Sequence, residues 1–212
     1  MTRISERTVL FADLRGSTSL FEQLGNAEAT SVVTHTVKMM GQAVPAHGGQ
    51  LIKTLGDGLM AVFDHSLQAV ASAAQMHDEL EKLVNRGGAH GASAGLRRLR
   101  LQVALARGEV VEMSGDCFGD AVNVAARLID HASDNETLVT AEVLADLAPA
   151  TRERFRSLDW LHLRGRAEPV QVHVLGGRRP ISDAVATQFG GAVEPTLEPE
   201  GLRLAWLDIE HV

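Results

Sequence analysis

Hydrophobic and polar positions change period several times along the chain, and each change marks an element. Thr8-Val-Leu-Phe-Ala-Asp13 is a short apolar run ending in a carboxylate, which predicts a buried strand. Gly16-Ser17-Thr18 follows, with two hydroxyls suited to cap a short helix that stops at Gly25. Apolar residues at Val32, Val33, Val37, Met40 and Val44 predict a longer helix over 28–46, ended by His47-Gly48-Gly49. Gln50–Thr54 and Leu59–Phe63 read as strands, joined by Gly56-Asp57-Gly58 as a tight hairpin. A helix is expected over 66–84, then a Gly- and Ala-rich surface loop over 85–98. Further strands are expected at 100–107, 109–113, 137–140, 155–162 and 170–175, with a helix over 121–131 and a short one after Thr140.

This order predicts an α/β fold, an α+β sandwich on the ferredoxin-like plan, with helices packed on a mainly antiparallel sheet. The pattern closes near Leu175, so residues 1–179 are expected to form one domain. Residues 180–212 read as a linker and the possible start of a further C-terminal domain. Leu202–Leu207 alternates like one more strand, and Trp206 offers a side chain that would dock on the sheet.

Composition narrows the function. Aromatic residues are 4% of the chain, there is no tyrosine, and the formal charge is −7. Nucleic-acid binding wants a basic face and stacking platforms, and neither is supplied, so no nucleic-acid partner is expected. The one cysteine, Cys117, allows no internal disulfide and fits a reducing compartment. Met1–Thr8 lacks the apolar core of a signal peptide, and no apolar run approaches a membrane span, so a cytoplasmic domain without direct membrane insertion is expected.

Two carboxylates have the best placement for chemistry. Asp13 ends the first strand and Asp57 sits in a hairpin turn, so both can converge on a hard cation. Taken singly, Gly-Asp-Gly is a common turn and Asp13 a common helix-start residue. The small-residue turn at Gly16, Ser17 and Thr18 can present backbone N–H groups to a phosphate, although it is not a Walker loop. Asn123 and Arg127 lie four apart and share a helix face, which spacing alone leaves open as a surface pair.

Together the motifs say more. Phe-x-Asp-x-x-Gly-x-Thr at 11–18, His-Gly-Gly and Lys-Thr-Leu-Gly-Asp-Gly within 47–58, and Asp-x-Phe-Gly-x-x-Val-Asn-x-Ala-x-Arg at 116–127 occur in order. Over roughly 8–175 the chain resembles the class III adenylate and guanylate cyclases. The resemblance implies two Mg²⁺ or Mn²⁺ ions per site held by Asp13 and Asp57. It implies that Arg127 steadies charge at the phosphorus and that Asn123 orients the ribose. It makes Lys53 and Asp116 the pair that reads the base, and the arrangement favours adenine: a lysine donates to its N1 and a carboxylate accepts from its 6-amino group, whereas guanine reverses both. It implies a homodimer with shared sites, ATP as substrate, cyclic AMP as product and a role in signalling.

Some positions depart from the family pattern. Ala106-Arg107-Gly108-Glu109 stands where His-Thr-Gly-Glu is frequent, and 112–115 is short for a dimerisation arm. A late phosphate-binding lysine has no match; Arg164 and Arg166 are nearby substitutes, or solvated loop residues. Cys117, beside the carboxylate of Asp116, is expected to be a small buried residue and not a reactive thiol. The alternative function is a catalytically silent module that keeps the fold for dimerisation or nucleotide sensing. The presence of Asp13, Asp57 and Arg127 argues against it. A diguanylate cyclase is disfavoured because no Gly-Gly-Asp/Glu-Glu-Phe run occurs.

Overall fold

A computed structural model describes residues 2–89 and 95–176, with the side chains of 86–89 outside that description. Its strands are β1 (Thr2–Arg15), β2 (Gln50–Leu55), β3 (Gly58–Phe63), β4 (Arg100–Met113), β5 (Asp116–Phe118), β6 (Thr137–Thr140), β7 (Phe155–Leu161) and β8 (Val170–Leu175). Its helices are α1 (Ser17–Leu24), α2 (Asn26–Ala46), α3 (Ser66–Ala89), α4 (Asp120–Leu128), α5 (Ala141–Ala145) and α6 (Pro149–Arg152). The strands form one sheet in the order β2-β3-β1-β4-β6-β8-β7, with β5 added to β4. Every pairing is antiparallel except β4 with β6. The expected α/β sandwich with a mainly antiparallel sheet is what the chain forms.

Alternation along the central strands divides the core between two faces. Leu10, Ala12 and Leu14 of β1 join Val33, Val37 and Met40 of α2 and Val70, Ala73 and Met76 of α3. Val9 of β1 and Ala104 and Ala106 of β4 join Ala121, Val124, Ala125 and Leu128 of α4 on the other face. Those α4 residues recur at i, i+3, i+4 and i+7, so one stripe of a short helix fixes its rotation on the sheet. Burying Val124 and Leu128 contributes about 1.5–3 kcal/mol each.

Several boundaries differ from the sequence reading, each for a tertiary reason. β1 begins at Thr2 because its polar first half pairs with β4, from Thr2↔Met113 to Arg7↔Gly108. β4 runs unbroken through Gly108 where two strands were expected, since β1 pairs with it along its whole length. β5 was not anticipated as a strand. Ser114 (φ 55°) and Gly115 (φ 81°) make a two-residue turn with both central residues in the left-handed region, which closes the pair Met113↔Asp116. In the expected 85–98 loop, α3 continues to Ala89, and a 3₁₀ turn at Leu96–Arg98 is pinned by buried Leu96 and Leu99. The helix expected over 121–131 is α-helical only to Leu128 and becomes 3₁₀ at Ile129–His131. The expected strand at 202–207, Trp206 and residues 180–212 as a whole lie outside the described residues.

The His47-Gly48-Gly49 stop has a steric explanation. Gly48 takes φ 73° at the end of α2, and the Gly49 N–H donates to the Val44 carbonyl at 2.9 Å. A Cβ on Gly49 would lie 2.2 Å from the Phe63 ring, which is buried in the α2/α3 core. Gly49→Ala should therefore destabilise the fold by about 1–3 kcal/mol through overpacking. Urea unfolding checks this; an unchanged midpoint would mean that Phe63 moves aside without cost.

Candidate functional site

The acidic pair forms where β1 meets the β2–β3 hairpin. Asp13 pairs in register with Gly58, and the Leu14 N–H donates to the Asp57 carbonyl at 3.2 Å. Asp13 follows Val9 and Phe11 by alternation, which puts it on the α4 face of the sheet. Gly56 takes φ 70° at the first central position of the turn, which suits a two-residue hairpin and leaves Asp57 at the tip. Gly58 carries no side chain for a direct reason: a Cβ there would sit 2.6 Å from the Ala12 carbonyl oxygen and 3.1 Å from Asp13 Oδ1.

Negative charge gathers at Asp13 faster than its surroundings offset it. Burial, and then the negative charge of Asp57, push the Asp13 carboxyl above its ordinary range. Arg15, with Nε 3.9 Å from Asp13 Oδ2, offsets this only in part, and Asp130 adds to the repulsion. An oxygen-only donor pair with excess negative charge suits a hard divalent cation. Among the described residues no group of three or more His, Cys, Asp or Glu side chains forms a metal cage. Two carboxylates that leave positions open for phosphate oxygens fit Mg²⁺ or Mn²⁺ better than a closed structural site.

The expected phosphate turn lies against this pair. Gly16 adopts φ 88°, and a Cβ on it would meet the Arg98 carbonyl oxygen at 2.5 Å, so the chain turns tightly into α1. The capping expected of Ser17 and Thr18 is not observed, because Gly16 is the N-cap and no side chain caps the helix. Ser17 Oγ instead donates to Asp57 Oδ2 at 2.8 Å. That contact was absent from the sequence reading: the two residues are 40 apart, and only the sheet brings them together. Among the described residues no side chain caps the first N–H groups of α1, which suits an anion-binding turn.

Lys53 and Asp116 meet as a close ion pair. Lys53 lies opposite Met60, on the sheet face that carries α4, and the β4–β5 hairpin brings Asp116 to it. The lysine Nζ donates to both carboxylate oxygens at 2.8 Å, and the Cys117 N–H donates to Oδ1 at 2.8 Å. These hydrogen bonds, the lysine's first, hold the Asp116 carboxyl below its ordinary range. Cys117 is buried, and burial followed by the charges of Glu112 and Asp116 pushes its thiol up, which leaves it protonated and unreactive.

Asn123 and Arg127 share an outward face of α4, beside the stripe that packs on the sheet. Asn123 is exposed. Among the described residues neither has a hydrogen bond or ion pair through its side chain, and Arg127 is not among the charges acting on Asp13. Among the described residues no hydrogen bond or ion pair links the acidic pair to the Asn/Arg face. Arg166 pairs with Asp120 and not with the acidic pair, while Arg164 is exposed.

An α/β sandwich that carries paired carboxylates at a strand end, a lysine–carboxylate couple and a polar helix face has the form of a nucleotidyl cyclase domain. The chain belongs to the adenylate and guanylate cyclase catalytic domain family, which it matches over residues 1–177. It is 31% identical over 206 residues to adenylate cyclase 2 of Rhizobium meliloti, covering 91% of this chain and 54% of the relative. Its fold is that of the adenylyl cyclase CyaB from P. aeruginosa, at TM-score 0.73 and 22% identity over 84% of this chain and 97% of that one. The guanylyl cyclase Cya2 is similar at TM-score 0.69 and 23% identity, over 82% and 93%. The chain spans about a third of the length of the adenylate cyclase it matches in Anabaena cylindrica and about half of adenylate cyclase 2 of Rhizobium meliloti. Among the described residues no helix is long and apolar enough to cross a membrane.

Proposed function

We propose that this chain is an adenylate cyclase catalytic domain, converting ATP to 3′,5′-cyclic AMP and pyrophosphate at sites shared between two copies of itself. The observation that carries the base assignment is the Lys53–Asp116 couple. Two groups distant in sequence are held together as a donor beside an ionised acceptor, the complement of adenine's N1 and 6-amino group. The same fold occurs in adenylyl and guanylyl cyclases, so the fold does not choose the base.

Asp13 and Asp57 would hold two Mg²⁺ or Mn²⁺ ions. Bound there, such ions supply positive charge to the triphosphate and make the ribose 3′-hydroxyl more acidic. The chain's own residues provide the positioning. Ser17 orients the Asp57 carboxylate, and the turn at Gly16, Ser17 and Thr18 presents N–H groups to phosphate oxygens. Asn123 holds the ribose so that its 3′-oxygen lies in line with the α-phosphorus. Arg127 stabilises the charge that gathers there as the new ester bond forms and the bond to pyrophosphate breaks. With no hydrogen bond or ion pair to its side chains among the described residues, the Asn123/Arg127 face is available to a second copy, which would complete the site by two-fold symmetry. We assign the catalytic unit to residues 1–179 and place it in the cytoplasm, where ATP and a reduced Cys117 are expected; residues 180–212 would lead toward a regulatory domain.

Purified protein with Mn²⁺ and ATP should release pyrophosphate and cyclic AMP in equal amounts. Chromatography with a coupled pyrophosphate assay measures both. Binding of ATP without either product would instead support a silent nucleotide-sensing module.

A further inference from the structure

The loop between β7 and β8 is tied to α4 at Asp120 and comes close to it at Arg127, the two ends of its functional face. Buried Leu163 anchors the loop, and the Arg166 N–H donates to the Leu163 carbonyl at 3.1 Å to close a turn. From that turn Arg166 reaches Asp120, in the first turn of α4. One residue earlier, Gly165 takes φ 79°, and a Cβ there would lie 3.1 Å from Arg127 Nη1 and 3.4 Å from Nη2. Asp120 and Arg127 are about 10 Å apart along the helix axis, so Asn123 lies between the two contacts. Among the described residues the Arg127 guanidinium has no hydrogen bond or ion pair. An arginine side chain has considerable rotamer freedom, and here its end lies where a side chain on residue 165 would begin.

We propose that Gly165 is a positioning residue, whose missing side chain lets the β7–β8 loop form a shelf against the Arg127 guanidinium and set where that cation points. The role rests on the reading of Arg127 as the group that stabilises charge at the α-phosphorus. Any Cβ at position 165 does two separable things. It strains a left-handed backbone, and it presses on Nη1. Alanine does both. Asparagine accepts the left-handed backbone more readily but carries the same Cβ.

The test uses the full chain with Mn²⁺ and ATP. Gly165→Ala and Gly165→Asn should each lower kcat about tenfold or more, with KM for ATP changed by less than about twofold, because the displaced group acts in the transition state. Thermal unfolding should drop for the alanine variant and stay near wild type for asparagine. In an Arg127→Lys background, whose residual turnover is followed with radiolabelled ATP, Gly165→Ala should add no further loss. Wild-type kcat in Gly165→Asn, or an equal tenfold loss in the Arg127→Lys background, would overturn the positioning role alone. Wild-type turnover in Arg127→Lys itself would overturn the reading of Arg127, and the role of Gly165 with it.

Discussion

Asp57→Ala and Arg127→Ala should each silence the protein alone and recover about a quarter of wild-type activity when mixed. Each single loss should be about a hundredfold or more, since on the proposed roles one removes a cation ligand and the other the charge that meets the transition state. Neither should unfold the chain: Asp57 lies in a hairpin turn, and Arg127 lies off the buried stripe of α4. Recovery follows from symmetry. In an isologous dimer each site takes its acidic pair from one copy and its Asn/Arg face from the other. A mixed dimer therefore has one site with both defects and one with neither. Random exchange makes about half the dimers mixed, and half of their sites work. Among the described residues no hydrogen bond or ion pair ties the side chains of Asn123 and Arg127 to the acidic pair, whose nearby cation is Arg15. The measurement is cyclic AMP formation after mixing differently tagged variants, with exchange confirmed by co-purification. No recovery despite exchange would mean a site contained within one chain.

The second large effect is on base choice. Wild-type protein should prefer ATP over GTP by at least about a hundredfold in kcat/KM, because guanine leaves both the lysine and the carboxylate facing like groups. Lys53→Glu with Asp116→Cys should lower ATP use by a similar factor and narrow the ratio. Both side chains are partly exposed, so the exchange should leave stability near wild type. The preformed ion pair sharpens the expectation. Asp116 accepts from Lys53 and from the Cys117 N–H, stays ionised well into the acid range, and can serve as an acceptor throughout a neutral assay. Initial rates of cyclic AMP and cyclic GMP formation decide it. Equal kcat/KM for the two nucleotides in the unmutated protein would remove adenine selectivity from these residues.

What the sequence determined by itself was the set of short-range events. Asp13 was legible as the end of an apolar run, Asp57 as the tip of a Gly-Asp-Gly hairpin, and Asn123 and Arg127 as one helix face, because each depends on a few consecutive residues. The sandwich class followed from the order of those elements. Tertiary structure decided whatever depends on residues far apart in the chain. Gly108 looked like a break, yet β4 continues through it because β1 offers hydrogen-bond partners for its whole length. The polar start Thr2–Arg7 became a strand for the same reason, since backbone pairing does not require apolar side chains. Hydroxyls at 17 and 18 looked like helix caps, but α1 is entered at Gly16, and the sheet delivers the Asp57 carboxylate as an acceptor for the Ser17 hydroxyl. Lys53 meets Asp116 across 63 residues, and Gly165 meets Arg127 across 38, because β5 and the β7–β8 loop both fold back onto the α4 side of the sheet. Local patterns specify elements through propensity and periodicity; the contacts between elements arise only when burial of both sheet faces fixes how the elements sit.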